Sequence, residues 1–144
     1  MNLIWMEEIQ DVNWSELANL YYIAPLGEKD PKDLKRVFSN SRYVYFIYDE
    51  NKLIGAGRAL ADGVDCSYIC DVAIHPEYQG KGLGSKMILQ LIEASKGHKK
   101  ILLYAVPRKE KFYARFGFKK MKTAMAIFEN QEQAMQWQLI SNEI

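Results

Sequence analysis

The sequence has little cysteine and histidine, no long apolar run and no surplus of charge, and each shortage closes off a class of function. Two cysteines, Cys66 and Cys70, and two distant histidines, His75 and His98, lack the spacing of a structural zinc site, so no metal is expected. The cysteines stand four apart on the same side of a predicted strand, an awkward placement for a disulfide, which implies a reducing, cytoplasmic setting. Basic residues number 19 and acidic ones 18, a formal net charge of +1, so no broad basic surface argues for nucleic acid as a partner. No apolar stretch approaches the ~20 residues that span a bilayer, and no membrane partner is expected. The first twenty residues hold Glu7, Glu8, Asp11 and Glu16 without a basic residue, so they do not read as a secretory signal.

What is present fits one globular domain over residues 1–144. The 144 residues suffice to bury roughly two thirds of the unfolded surface, and neither repeat nor flexible linker divides them. The pattern is mixed α/β. A strand near Leu3 to Met6 precedes a helix over Ser15 to Tyr22, which Ala24-Pro25-Leu26-Gly27 breaks. Asp30 and Pro31 then cap and start a second helix with Leu34, Val37 and Phe38 on one face. Tyr43 to Tyr48 and Leu53 to Leu60 form a hairpin about a polar turn, followed by a sparsely charged strand over Ser67 to Ile74. Leu83, Met87, Ile88, Leu91 and Ile92 stripe a helix that ends at Gly97. Beyond it the pattern predicts a strand over Ile101 to Val106, a short helix over Lys109 to Arg115, a last strand over Phe118 to Phe128 and a helical tail over Gln131 to Ile140.

The chemistry concentrates between the sparsely charged strand and the striped helix, at Gln79-Gly80-Lys81-Gly82-Leu83-Gly84-Ser85. Three alternate glycines free the turn of side chains, so consecutive backbone N–H groups can close on an anion at the positive end of the helix. A phosphorylated ligand is expected. Counting excludes the two commonest nucleotide loops: no Gly-Lys pair is followed by serine or threonine, and neither Gly80 nor Gly82 starts G-x-G-x-x-G. Asp71 is the other unusual residue, an aspartate in an otherwise uncharged strand. Alternation points it away from Val72 and Ile74, together with Ile69 and Ala73. Such a carboxylate is costly unless it is functional or is paired, with Arg58 or a backbone group.

Gln-x-x-Gly-x-Gly at Gln79, Gly82 and Gly84, with the strand before it, the helix after it and Phe112-Tyr113-Ala114-Arg115-Phe116-Gly117-Phe118 further on, resembles the GNAT family of N-acetyltransferases. The element order is similar from about Leu3 to Phe128. The resemblance implies the GNAT α/β (α+β) fold, with a central mixed, mostly antiparallel twisted sheet, splayed at the acetyl-CoA site and flanked by helices on both faces. It implies acetyl-CoA as donor, its pyrophosphate on the backbone of Gln79, Gly80, Gly82, Leu83, Gly84 and Ser85 and its pantetheine arm along Val72 and Ile74. Oxyanion help would come from a backbone N–H of Val72 or Ala73, and proton donation to the thiolate from Tyr113, unless that phenol only packs or hydrogen-bonds the cofactor. Asp71 resembles the family's acceptor-side aspartate, here following Cys70 where relatives often carry glutamate, and would be catalytic as an amine-orienting carboxylate or as a base acting through water. Lys109 replaces an asparagine common in the family; with Arg108 and Lys111 it reaches cofactor phosphates or forms a solvated face, the same choice posed by Lys81 and Lys86. His75 reads as a strand-end residue. The acceptor site implied by the family would draw on Tyr21, Tyr22, Phe38, Tyr43, Tyr45, Phe46, Tyr48 and Arg58, with Asp62 and Asp65 to attract a cation. A small-molecule primary amine is the expected acceptor. A protein lysine or N-terminus, a noncatalytic acetyl-CoA sensor, and a homodimer stay open.

Overall fold

Five strands form one sheet in the order β1-β2-β3-β4-β5, with β1 Leu3–Met6, β2 Tyr43–Asp49, β3 Lys52–Ala61, β4 Cys66–Ile74 and β5 Lys100–Leu102. The computed structural model describes residues 1–144, which divide into two compact units, Met1–Leu103 and Tyr104–Ile144. All five strands belong to the first unit. Neighbours are antiparallel except β4 and β5, which run parallel. The β4–β5 pairing covers only Cys66↔Lys100 to Tyr68↔Leu102, so β4 continues to Ile74 without a β5 partner on that side.

Helices cover both faces because β2 and β3 are apolar on both. On one face, α1 (Trp14–Ile23) and α2 (Pro31–Ser39) bury Leu17, Leu20, Tyr21, Leu34 and Phe38 against Phe46, Ala56 and Ala73. Asn13 and Asp30 cap the two helices by accepting from the N–H groups of Glu16 and Lys32. Each fully buried apolar side chain here contributes about 1.5–3 kcal/mol. The other face is flattened by Gly55 and Gly57, which flank Ala56. A Cβ on Gly57 would lie 2.9 Å from Met87 Sδ and 3.1 Å from Leu91 Cδ1, so α3 (Leu83–Ala94) packs directly on the backbone of β3. Ser67 of β4 and Ser95 after α3, both fully buried, share a 2.8 Å hydrogen bond.

The second unit holds two short helices, α4 (Glu110–Ala114) and α5 (Gln131–Gln136). Sequence patterning misplaces two features here. The strand expected over Phe118 to Phe128 is absent, and residues 119–127 are exposed coil. Lys119, Lys120 and Lys122 break any apolar alternation, and the intervening Met and Ala residues are poor β formers. The tail helix ends at Gln136 rather than Ile140, with Trp137 as an exposed cap. Strand β5 also ends early, at Leu102, where its ladder with β4 ends.

Candidate active site

The site begins with a bulge in β4. Ala56 pairs with Ala73 and Arg58 with Cys70, so Asp71 and Val72 together oppose the single residue Gly57. Asp71 takes φ +55, the left-handed conformation that aspartate tolerates better than most residues. The strict alternation expected from the sequence therefore stops at Asp71, and the extra residue re-aims the end of the strand. Tyr21, fully buried on α1, fixes the bulge by donating its hydroxyl to the Asp71 carbonyl at 2.6 Å. Burial, and then the charge of Asp71, raise the Tyr21 pKa well above the ordinary phenol value, so that hydroxyl stays a donor.

The Asp71 carboxylate is engaged on both oxygens. Arg58 Nε lies 2.8 Å from Oδ2, and Lys29 Nζ lies 3.8 Å from Oδ1. Arg58 also reaches Ser41 Oγ at 3.2 Å, and Ser41 donates on to the Val37 carbonyl. The partnership with Arg58 weighed in the sequence is thus present, and a second cation joins it. Neighbouring Cys70 has its thiol pushed up to about 11, chiefly by burial, so it is not a thiolate nucleophile.

The glycine turn comes after a single 3-10 turn at Pro76–Tyr78. His75 caps that turn by accepting the Glu77 N–H on Nδ1, the strand-end role expected for it. Gln79 donates its side-chain amide to the Ile74 carbonyl at 2.9 Å, tying the turn back to the end of β4. Gly80 and Gly82 take φ +78 and +81, and a Cβ on either would meet nothing within 4 Å. Gly82 is the N-cap of α3 and supplies no side-chain acceptor, so the backbone N–H groups of Leu83 and Gly84 open the helix without a side-chain cap. Lys81 lies over the Tyr78 ring and Lys86 is exposed on the first turn of α3. Gly82→Ala forces an L side chain into a conformation costing about 1–2 kcal/mol. Calorimetry should therefore show the affinity for the phosphorylated ligand expected at this turn reduced about tenfold, because the unbound turn relaxes out of the binding conformation. Gly84→Ala, helical and with its new Cβ an ordinary 3.9 Å from Ile74 Cγ1, should bind as the parent does.

In the second unit Tyr113 sits on α4, half-buried, edge-on to Phe112 at 5.0 Å and to Phe118 at 6.3 Å between ring centroids. Burial raises its pKa above 10.0. Lys109 is the exposed N-cap of the same helix, beside Arg108 at φ +76.

Sequence reasoning missed Lys29 and the open depression around it. About 510 Å³ of solvent-open space is lined by Ala18, Asn19 and Tyr22 of α1 and by Glu28, Lys29 and Asp30 of the α1–α2 connection. The available signal was the Pro-Gly break after α1, which marks a loop able to double back. Of the aromatics weighed for an acceptor pocket, Tyr21, Phe38, Tyr45 and Phe46 are core, as strand alternation leads one to expect of most of them. The two turn aspartates are occupied as well. Asp62 accepts from the N–H groups of Val64, Asp65 and Cys66, which lowers its pKa to about 2, and Asp65 pairs with Lys100 at 2.8 Å.

Residues 7–118 match the Acetyltransferase (GNAT) family. The chain is a GNAT acetyltransferase. The uncharacterized N-acetyltransferase ycf52 of Pyropia yezoensis is 32% identical over 121 residues, 80% of this chain and 70% of that protein. Serotonin N-acetyltransferase 2, chloroplastic, of Oryza sativa subsp. japonica is 32% identical over 109 residues, 69% of this chain and 54% of that protein. The Arabidopsis thaliana Naa50 structure, in complex with the bisubstrate analogue CoA-Ac-MVNAL, shares the fold with a TM-score of 0.69 at 21% identity, covering 85% of this chain and 86% of that one. GNAT enzymes use acetyl-CoA, and the unladdered end of β4 and the glycine turn suit it. Two left-handed glycines and a helix start without a side-chain cap fit a pyrophosphate. The β4 edge beyond Tyr68, which lacks a β5 ladder, fits an amide-bearing arm that pairs like a strand.

Proposed function

We propose that this GNAT enzyme acetylates the primary amine of a small, cationic molecule by direct attack on acetyl-CoA in a ternary complex. The observation that carries the proposal is the Asp71 carboxylate at the β4 bulge, which already has the Lys29 ammonium 3.8 Å from Oδ1. The open depression around Lys29 is lined by the aromatic Tyr22 and by Glu28 and Asp30. A site that seats one alkylammonium is chemically suited to another. The rice relative named for serotonin supports the same acceptor class.

In this reading the backbone N–H groups from Gly80 to Ser85 hold the pyrophosphate, aided by Lys81, Lys86 and Lys109, while Val72 and Ile74 pair with the pantetheine. The bulge presents a backbone N–H of Val72 or Ala73 to the carbonyl oxygen as it becomes negative. Asp71 orients the amine, and Tyr113 returns a proton to the departing thiolate. A peptide N-terminus is the second reading, favoured by the shared fold with Naa50, whose bound analogue carries a peptide.

Release of free thiol from acetyl-CoA, measured across arylalkylamines, polyamines, amino sugars and short peptides, separates the readings. Steady release with a small cationic amine is the expected result. Release with peptides alone overturns the small-molecule acceptor, and tight cofactor binding without release for any acceptor indicates a sensor.

A further inference from the structure

Lys29 is a primary amine held by the chain itself where the proposed acceptor would bring one. Its Nζ lies 3.8 Å from Asp71 Oδ1 and 5.4 Å from the centroid of the Tyr21 ring, and its side chain is 27% exposed. Asp71 immediately precedes Val72, whose backbone N–H is one of the two proposed to meet the thioester carbonyl. The neighbouring lysines are placed otherwise: Lys32 and Lys35 are exposed on α2, with no ion pair to Asp71. Elsewhere in the same unit Lys52 and Lys100 pair with Glu77 and Asp65.

We propose that Lys29 is itself an acetyl acceptor, modified by its own chain from bound acetyl-CoA. The inference rests on the acetyl-transfer reading of this site and adds a second, internal substrate. The Lys29 ammonium first gives one proton to solvent. The neutral Nζ then forms a bond to the thioester carbonyl carbon, the C–S bond breaks, and the second proton leaves nitrogen for the departing sulfur. The products are Nε-acetyl-Lys29, free CoA thiol and one released proton. Holding the amine in place removes the entropy cost that a second-order encounter carries. The modification also erases the Lys29 charge, so Oδ1 of Asp71 loses its resident cation and becomes available to an external ammonium.

The full chain is incubated with acetyl-CoA and no acceptor, and each lysine is monitored by peptide mass spectrometry. Lys29 should be acetylated at least about tenfold faster than Lys32 or Lys35. Its first-order rate should not depend on protein concentration, and desulfo-CoA should suppress it. Lys29→Arg should remove that mark and leave the slow labelling of the other lysines unchanged. Labelling of Lys29 no faster than of Lys32 and Lys35, or at a rate proportional to protein concentration, overturns the inference. Thiol release with the amine panel is measured on the same preparation. Turnover of amines with an unmarked Lys29 defeats this inference alone, whereas absence of both acetyl-CoA binding and turnover defeats the reading beneath it as well.

Discussion

Tyr113→Phe should lower kcat by about 10²–10⁴-fold, the ordinary contribution of a positioned general acid, while leaving the Kd for acetyl-CoA nearly unchanged. Phenylalanine keeps the ring, and with it the edge contacts to Phe112 and Phe118, so the packing of α4 survives the exchange. Only the hydroxyl is lost. Its proton is the one we propose for the CoA thiolate, and burial holds it on oxygen by raising the phenol above its ordinary 10.0. The acid form therefore persists across the neutral range and is lost only as pH climbs past that raised value. The parent enzyme should show no fall in kcat from this group anywhere in the neutral range. Parallel pre-steady-state and binding measurements decide the role, because a tyrosine that merely packs would leave kcat intact in Tyr113→Phe.

Much of this architecture is legible in the sequence because local signals and tertiary needs agree. The cap at Asp30, the run of β formers in the β2–β3 hairpin and the stripe on α3 each state a local preference that the fold then uses. The glycine turn is equally readable, since only a residue without Cβ enters the left-handed region there at little cost. The features that elude the sequence are those that depend on partners far along the chain. The bulge at Asp71 is fixed by Tyr21, fifty residues earlier, and no periodicity announces it. Lys29 looks like one more charge in a loop until the connection after α1 carries it to Asp71. The missing strand at 118–128 is the opposite case: a local pattern reads as a strand, but the lysine-rich segment finds no partner and does not pair.

Asp71→Asn should cut kcat/KM for the amine by about 10²-fold or more with little change in acetyl-CoA affinity, and two companion variants identify which part of the residue matters. The carboxylate and the backbone make separate demands. The carboxylate holds Arg58 and Lys29, while the backbone, at φ +55 and bound by Tyr21, makes the bulge that turns the proposed oxyanion donor. Asparagine tolerates the left-handed conformation and keeps an oxygen for Arg58 Nε, but it offers no charge to an ammonium. Glycine keeps the conformation and offers neither. Valine opposes the conformation outright. Arg58 is 14% exposed and retains Ser41, so loss of its ion pair in Asp71→Gly should cost about 1–2 kcal/mol, between the surface and fully buried cases. If the charge orients the amine, Asn and Gly both lose turnover, chiefly as a raised KM for cationic acceptors. If the bulge alone matters, both stay near the parent and only Asp71→Val fails, which would remove the carboxylate from the mechanism and leave Asp71 as the residue that shapes the strand.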